Sequence, residues 1–366
     1  MHTILVLGGY GFFGQRICTK LASTPSVRLL IGGRDALRAA AAAQSMGLPV
    51  DHGTSIDANG DQLAARLEEL QVDTLVHTAG PFQGQAYTVA RAAIDAECHY
   101  IDLADGREFV AGIDCLDALA RARGVTVISG ASSVPALSSA VVDRYREQFA
   151  RLDSIQIGIS SGARVPGLAT VQGVFGYAGK PFLHWSKGRW DTAYGWLGLQ
   201  RHRFPKPLGS RWVSYCDVPD LQLFPTRYSG VSTVSFRAGF ASDLGHLVVW
   251  SLAALVRARA LRSVRPWAVP LSRISRWMEP ILSDQGGMFV TLDGVGHDGQ
   301  PRRTTWNLLA RHNHGPYIPC GAAIALARRL AAGPPLPVGA KPCVGLLTVD
   351  EFIDPLRELD IQECVE

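Results

Sequence analysis

The stretch LVLGGYGFFGQRIC, residues 5–18, decides the fold. An apolar run, Thr3 to Leu7, reads as a strand and stops at a cluster of glycines. From Phe13 to Ser23 the apolar residues return with a helical rhythm. Between the two, Gly9-Tyr10-Gly11-Phe12-Phe13-Gly14 fits G-x-G-x-x-G. That pattern is weak in isolation, but here it follows a strand, opens a helix and begins a βαβ unit, which is the context of a dinucleotide-binding turn. Gly9 is expected to permit the tight turn, Gly11 to let the backbone approach a pyrophosphate, and Gly14 to let helix and strand pack closely. The N–H groups that open the helix then face the anion. Tyr10, Phe12 and Phe13 become candidate walls of the cofactor site.

The end of the second strand separates two cofactors. An NAD site places a carboxylate about twenty residues beyond the glycines, where it accepts bonds from the ribose hydroxyls. Here that neighbourhood reads Gly32-Gly33-Arg34-Asp35. A guanidinium suits a 2′-phosphate in both charge and fork geometry. Asp35 is more simply the N-cap of the helix that begins D-A-L-R. Gly33 and Arg34 therefore predict NADP, with NAD as the alternative.

Working outward, short apolar runs alternate with helical patterns as far as residue 150: strands at 27–31, 73–79, 99–103 and 125–129, helices at 35–46, 61–70, 86–96 and 115–123. Asn59 or Asp61 is the expected cap of the 61–70 helix. This alternation implies an α/β fold with a doubly wound parallel sheet. Beyond residue 150 glycine, proline and aromatic residues become frequent, tryptophans cluster between Trp185 and Trp277, and β-like runs appear at 154–160, 231–239 and 286–296. A Rossmann domain over 1–150, an α+β substrate and dimerisation domain over 151–318, and C-terminal helices over 319–366 returning to the first domain are expected.

Composition narrows the class. The chain has 366 residues, 47% hydrophobic and 19% charged, as an ordinary folded protein has. A net charge of +4 gives no general case for nucleic-acid binding. The seven cysteines are scattered, odd in number and never spaced C-x-x-C, so reduced thiols and a cytoplasmic location are expected, with no metal. No signal peptide is read at the N-terminus. Leu247 to Val256, LVVWSLAALV, is too short to cross a bilayer, which needs about twenty residues. Arg257, Arg259, Arg262 and Arg265 follow it, which leaves a buried helix with a basic end or an interfacial helix.

The most informative later stretch is HTAGPFQGQAYTVARAAIDAECHYIDLADGREFV, residues 77–110. Its Ala79-Gly80-Pro81-Phe82 turn and His99-Tyr100-Ile101-Asp102-Leu103 strand, taken with the glycine turn, resemble the saccharopine dehydrogenase-like family; GPYIPCGAAIALARRLAAG, 315–333, looks like that family's C-terminal region. The resemblance implies an NAD(P)-binding oxidoreductase that transfers hydride to or from a small molecule, in characterised members at a carbon bonded to nitrogen and in other relatives on lipid-like substrates. It also implies a homodimer. It would set Ala79, Gly80, Pro81 and Phe82, with Thr78 ahead of them, beside the nicotinamide or its ribose. Tyr100 and Asp102 point to one side of their strand and are the candidate catalytic residues; the plainer alternative packs Tyr100 in the core and caps a turn with Asp102. One departure counts against an amino-acid substrate. Members that handle amino acids often carry Asp-Pro-Gly where this chain has Val134-Pro135-Ala136, so a less polar substrate fits better and Pro135 becomes an ordinary helix start.

Other chemistries lack their residues. No tyrosine is followed by lysine at the fourth position, and His312-Asn313-His314 has no local third ligand. The rival to an oxidoreductase is a non-catalytic dinucleotide-binding module that meets a membrane surface or a protein partner through 247–265.

Overall fold

The computed structural model describes residues 1–162, 168–279 and 282–366. They form two units, Met1–Leu137 with Tyr317–Pro355, and Ser138–Pro316 with Leu356–Glu366.

The first unit is the parallel sheet that the alternating pattern predicts. Its strands β1 (His2–Leu7), β2 (Val27–Gly33), β3 (Gly53–Ser55), β4 (Thr74–His77), β5 (His99–Asp102) and β6 (Thr126–Ser129) run in the order 6-5-4-1-2-3. A seventh strand, Gly339–Pro342, joins parallel beside β6. It was not legible in sequence, because Gly-Ala-Lys-Pro has no β pattern of its own. Helices α1 (Gly14–Leu21), α2 (Ala36–Ser45), α3 (Leu63–Glu69) and α4 (Thr88–Asp95) connect the first five strands. Leu5, Leu7, Leu30, Leu75, Tyr100 and Val127 supply one sheet face, and the apolar sides of α3 and α4 cover it. Burial of both faces explains why these strands read as continuous apolar runs.

Local chemistry sets most boundaries. Asp35 caps α2 as expected, its carboxylate accepting the Arg38 N–H at 3.1 Å. Helix α3 begins later than predicted; neither Asn59 nor Asp61 caps it, and Gln62 at its N-cap makes no side-chain cap bond. Pro135 does not start a helix either. Ser133–Leu137 form a π-type turn in which Val134 is extended, and the regular helix begins at Ser138.

The second unit holds a mixed seven-stranded sheet. Its strands run Gln200–Arg203, Ser210–Tyr215, Thr233–Gly239, Phe149–Ser160, Gly286–Gly296, Pro301–Ala310 and Ile361–Val365. Thr233–Gly239 pairs in parallel with Phe149–Ser160, and the other pairings are antiparallel. A separate hairpin joins Pro181–Ser186 to Arg189–Tyr194.

The division differs from the sequence expectation at both ends. The helix Ser138–Tyr145 belongs to the second unit, where the Ser138 hydroxyl donates to buried Asp220 and the Tyr228 hydroxyl donates to the Ser139 carbonyl at 3.2 Å. The C-terminal region parts company with itself. The helix Gly321–Ala332 packs on α1, β4 and β5 of the first unit, whereas Ile361–Val365 adds a strand to the second. That last strand pairs beside the strand of Trp306, which is fully buried and donates its indole N–H to Glu363 at 2.7 Å. Glu363→Ala strips this acceptor and the Arg144 ion pair, and should cost about 1–3 kcal/mol in denaturant unfolding. Unchanged stability would mean that the strand is not held by this bond.

Candidate nucleotide-binding site

At the carboxyl end of the first sheet, β1, β2 and β4 converge. The N–H groups of Gly8 and Gly9 donate to the Gly32 carbonyl at 2.8 and 3.1 Å, and the Thr78 N–H and hydroxyl both donate to the Leu7 carbonyl at 2.9 Å. These bonds set the glycine turn beside the turn after β4, across the point where strand order reverses. Ligands bind at such switch points in doubly wound sheets.

The turn works somewhat differently from the sequence reading. The left-handed residue is Gly8, with φ +84, and not Gly9. Gly8 lies one place before the motif and carried no signal there. Gly14 acts as expected, since a Cβ on it would sit 2.2 Å from the Gly8 carbonyl oxygen and only glycine lets α1 start this close to β1. Phe13 at the N-cap offers no side-chain bond to the first turn of α1. The Gln15 and Arg16 N–H groups already donate to the Gly11 and Phe13 carbonyls at 3.0 Å, so an anion would have to meet the amides of the turn before them. Phe12 and Phe13 are half-buried and meet edge to face, 5.1 Å between ring centres. Buried Arg16 donates to the Phe12 carbonyl and lies over the Phe12 ring at 4.3 Å, a contact that sequence reasoning missed because its only signal was helical phase.

At the end of β2, Tyr10 folds back over Gly33. A Cβ there would lie 2.3 Å from the Tyr10 ring, and the Tyr10 hydroxyl accepts the Asp35 N–H at 3.1 Å. Arg34 is exposed, with its carbonyl accepting from the Ser55 hydroxyl at 3.2 Å. Exposed Arg38 holds its guanidinium 4.6 Å from the Tyr10 ring centre. Arg38 was not singled out in sequence, although it lies one helical turn beyond Arg34. The carboxylate of Asp35 is committed to capping α2. This corner therefore presents the Arg38 guanidinium on an aromatic platform, with exposed Arg34 at the end of β2.

The turn after β4 divides its residues. Thr78, Ala79 and Gly80 are half-buried and Pro81 is exposed, whereas Phe82 is only 5% exposed. Phe82 packs edge-on against His77 at 5.0 Å and tilted against Phe109 at 5.4 Å, so it braces the turn from below and does not line a ligand surface.

Tyr100 and Asp102 are 0% exposed, and Asp102 Oδ2 is buried without a hydrogen-bond partner. The Tyr100 hydroxyl lies 2.9 Å from His77 Nδ1, and Tyr100 is part of the core cluster under α3 and α4. One Asp102 oxygen accepts the N–H groups of Ala104 and Gly130 at 2.9 and 2.8 Å and the Ser129 hydroxyl at 3.0 Å. As placed, neither touches a ligand surface. The geometry matches the plainer alternative, with Tyr100 in the core and Asp102 tying the ends of β5 and β6 together. Alternation along the strand correctly put both on one side; that this side faces the core was not readable from two residues.

Burial pushes the Asp102 carboxyl up to about 6, against the pull of its three donors. Burial also pushes His77 down to about 4. A carboxyl whose folded pKa is raised stabilises the fold while protonated, and that contribution fades as pH rises from the ordinary 3.8 through about 6. Relative to Asp102→Asn, the parent should lose up to about 3 kcal/mol of stability across that window, measured by unfolding at several pH values. A flat difference would show that Asp102 does not titrate there. Gly14→Ala should cost roughly 1–3 kcal/mol, because the new methyl meets backbone that cannot move aside.

Residues 4–151 match the family model described as the saccharopine dehydrogenase NADP-binding domain. The chain is similar in fold to apo saccharopine dehydrogenase (L-Glu forming) from Saccharomyces cerevisiae, with a TM-score of 0.68, 12% identity and 100% of each chain covered. Amine dehydrogenase from Mycobacterium smegmatis is more remote, with a TM-score of 0.49 and 12% identity over 96% of this chain and 95% of that one. No curated protein sequence matches the chain. Among the described residues no helix is long and apolar enough to cross a membrane, and no cluster of ligating side chains suits a metal ion. Residues 4–151 are thus similar to the saccharopine dehydrogenase NADP-binding domain, and the described chain shares the fold of saccharopine dehydrogenase.

Proposed function

We propose that the chain is an NADP-dependent oxidoreductase acting on a small molecule. The observation that carries the cofactor choice is the corner formed by Tyr10, Arg34 and Arg38, where Asp35 is occupied with its helix cap. A 2′-phosphate there would meet two cations, while a bare ribose would find only the Asp35 carboxylate, one oxygen of which already caps α2. The backbone from Gly8 to Gly14 would hold the pyrophosphate, and Thr78 to Pro81 would border the nicotinamide end. When bound, the nicotinamide supplies or accepts the hydride. The protein's part is to orient it, keep water out and manage a proton. Asp102 and Tyr100 serve in this reading as positioning residues, holding the strand ends that carry the turns.

The substrate follows from what is missing. With Val134-Pro135-Ala136 in place of an Asp-Pro-Gly turn, the chain lacks the carboxylate that would pair with a substrate ammonium. A neutral C–N bond, as in an imine, or an apolar substrate suits it better. A homodimer in the cytoplasm completes the proposal. A second reading, a dinucleotide-binding module without catalysis, draws support from the burial of Tyr100 and Asp102. An NADPH-oxidation screen over imines, amino acids and enoyl lipids separates the two: stimulation by any class supports an enzyme, and silence across all three favours the module.

Titration with NADPH and NADH, followed by nicotinamide fluorescence, tests the cofactor. NADPH should bind more tightly, and Arg34→Ala and Arg38→Ala should each weaken it about tenfold or more while leaving NADH nearly unchanged. Equal losses for both cofactors would remove the 2′-phosphate role. Failure of both to bind would remove the proposal.

A further inference from the structure

The second unit carries an exposed surface that nucleotide binding does not explain. From Leu244 to Met278 the chain has six arginines and no aspartate, glutamate or lysine. The whole chain is only +4, so the remaining residues together are net negative and the positive charge is gathered here. The helix Asp243–Arg257 buries His246, Val249 and Ala253, which accounts for part of this segment as ordinary core. Arg257 is also accounted for, with its guanidinium over the Tyr194 ring at 3.7 Å.

The turn and helix that follow are different. Ala268 and Ser272 bury one side of the helix Ala268–Met278. Trp267, Ile274 and Trp277 are 47%, 53% and 82% exposed. With exposed Pro270, they recur at i, i+3, i+7 and i+10, which is one continuous stripe. Val269, Arg273 and Arg276, at i, i+4 and i+7, form the adjoining exposed stripe. A surface helix normally turns its apolar stripe inward. This one turns tryptophans and an isoleucine to solvent, with two arginines alongside.

We infer that Trp267–Trp277 is a docking face for an anionic lipid surface. The two stripes divide the work that such a surface requires. Tryptophan and isoleucine enter the headgroup boundary, where an indole has both an apolar body and a polar edge, and the arginines meet phosphates. Charge selects this occupant over a second copy of the chain. An isologous two-fold contact over this face would gather Arg273 and Arg276 of both copies in one interface, with no carboxylate from Leu244 to Met278 to offset them. The expected interfacial segment, 247–265, is thereby moved: its exposed arginines adjoin the face, and the anchoring side chains lie beyond it. This inference does not depend on the proposed reaction.

Flotation of the full-length protein with vesicles tests it. The parent should float with vesicles of mixed phosphatidylglycerol and phosphatidylcholine, stay behind with phosphatidylcholine alone, and be released by added salt. Arg273→Glu with Arg276→Glu should reduce binding to the anionic vesicles by about tenfold or more, as should Ile274→Ser with Trp277→Ser. Thermal unfolding and NADPH titration check that both variants remain folded. Failure of the parent to float, or variants that float as the parent does, would overturn the proposal. So would a parent dimer that Ile274→Ser with Trp277→Ser converts to monomer without any vesicle binding, since a second copy would then cover the face.

Discussion

The approach of α1 to the Gly8 carbonyl is the constraint on which the first unit turns. With hydrogen in place of a Cβ at Gly14, the helix starts directly over the end of β1. Gly8, left-handed and bonded through its N–H to Gly32, ties that start to β2, and the two Thr78 bonds to Leu7 tie it to the turn after β4. Three strand ends are thus drawn together by backbone bonds and the Thr78 hydroxyl. Charged and aromatic side chains are then added around this frame.

What is added follows electrostatic logic. Asp35 lies where a ribose-binding carboxylate is usual, but it is directed into the first turn of α2 and stabilises a helix. Tyr10, bonded to the Asp35 N–H and resting on Gly33, gives Arg38 a ring to lie over. Beneath the site, buried groups do quieter work. His77 is held neutral by burial, and Asp102 collects three donors so that β5 and β6 end in register.

The second unit obeys the same packing rules with a different outcome. Its sheet buries Trp306 completely, on the strand beside the terminal one. The helix Ala268–Met278 and the turn before it instead leave Trp277 and Trp267 outside, against the tendency of large apolar side chains to be covered. A contiguous apolar stripe beside arginines is the kind of exposed surface that marks a partner.

By itself the sequence determined the parallel sheet, the G-x-G-x-x-G turn, the Asp35 cap and the cationic corner at Arg34. Each is a local pattern, in which glycine sterics, a cap or an apolar period acts within a few residues. Tertiary structure alone decided which side of β5 faces inward, and with it the burial of Tyr100 and Asp102. It decided that Phe82 braces its turn from beneath, that Gly8 takes the left-handed conformation, and that Gly339–Pro342 joins the first sheet while Ile361–Val365 joins the second. The physical reason is common to all of these. Burial and strand pairing are set by residues far away in sequence, and a four- or five-residue strand says little about which sheet will accept its hydrogen bonds.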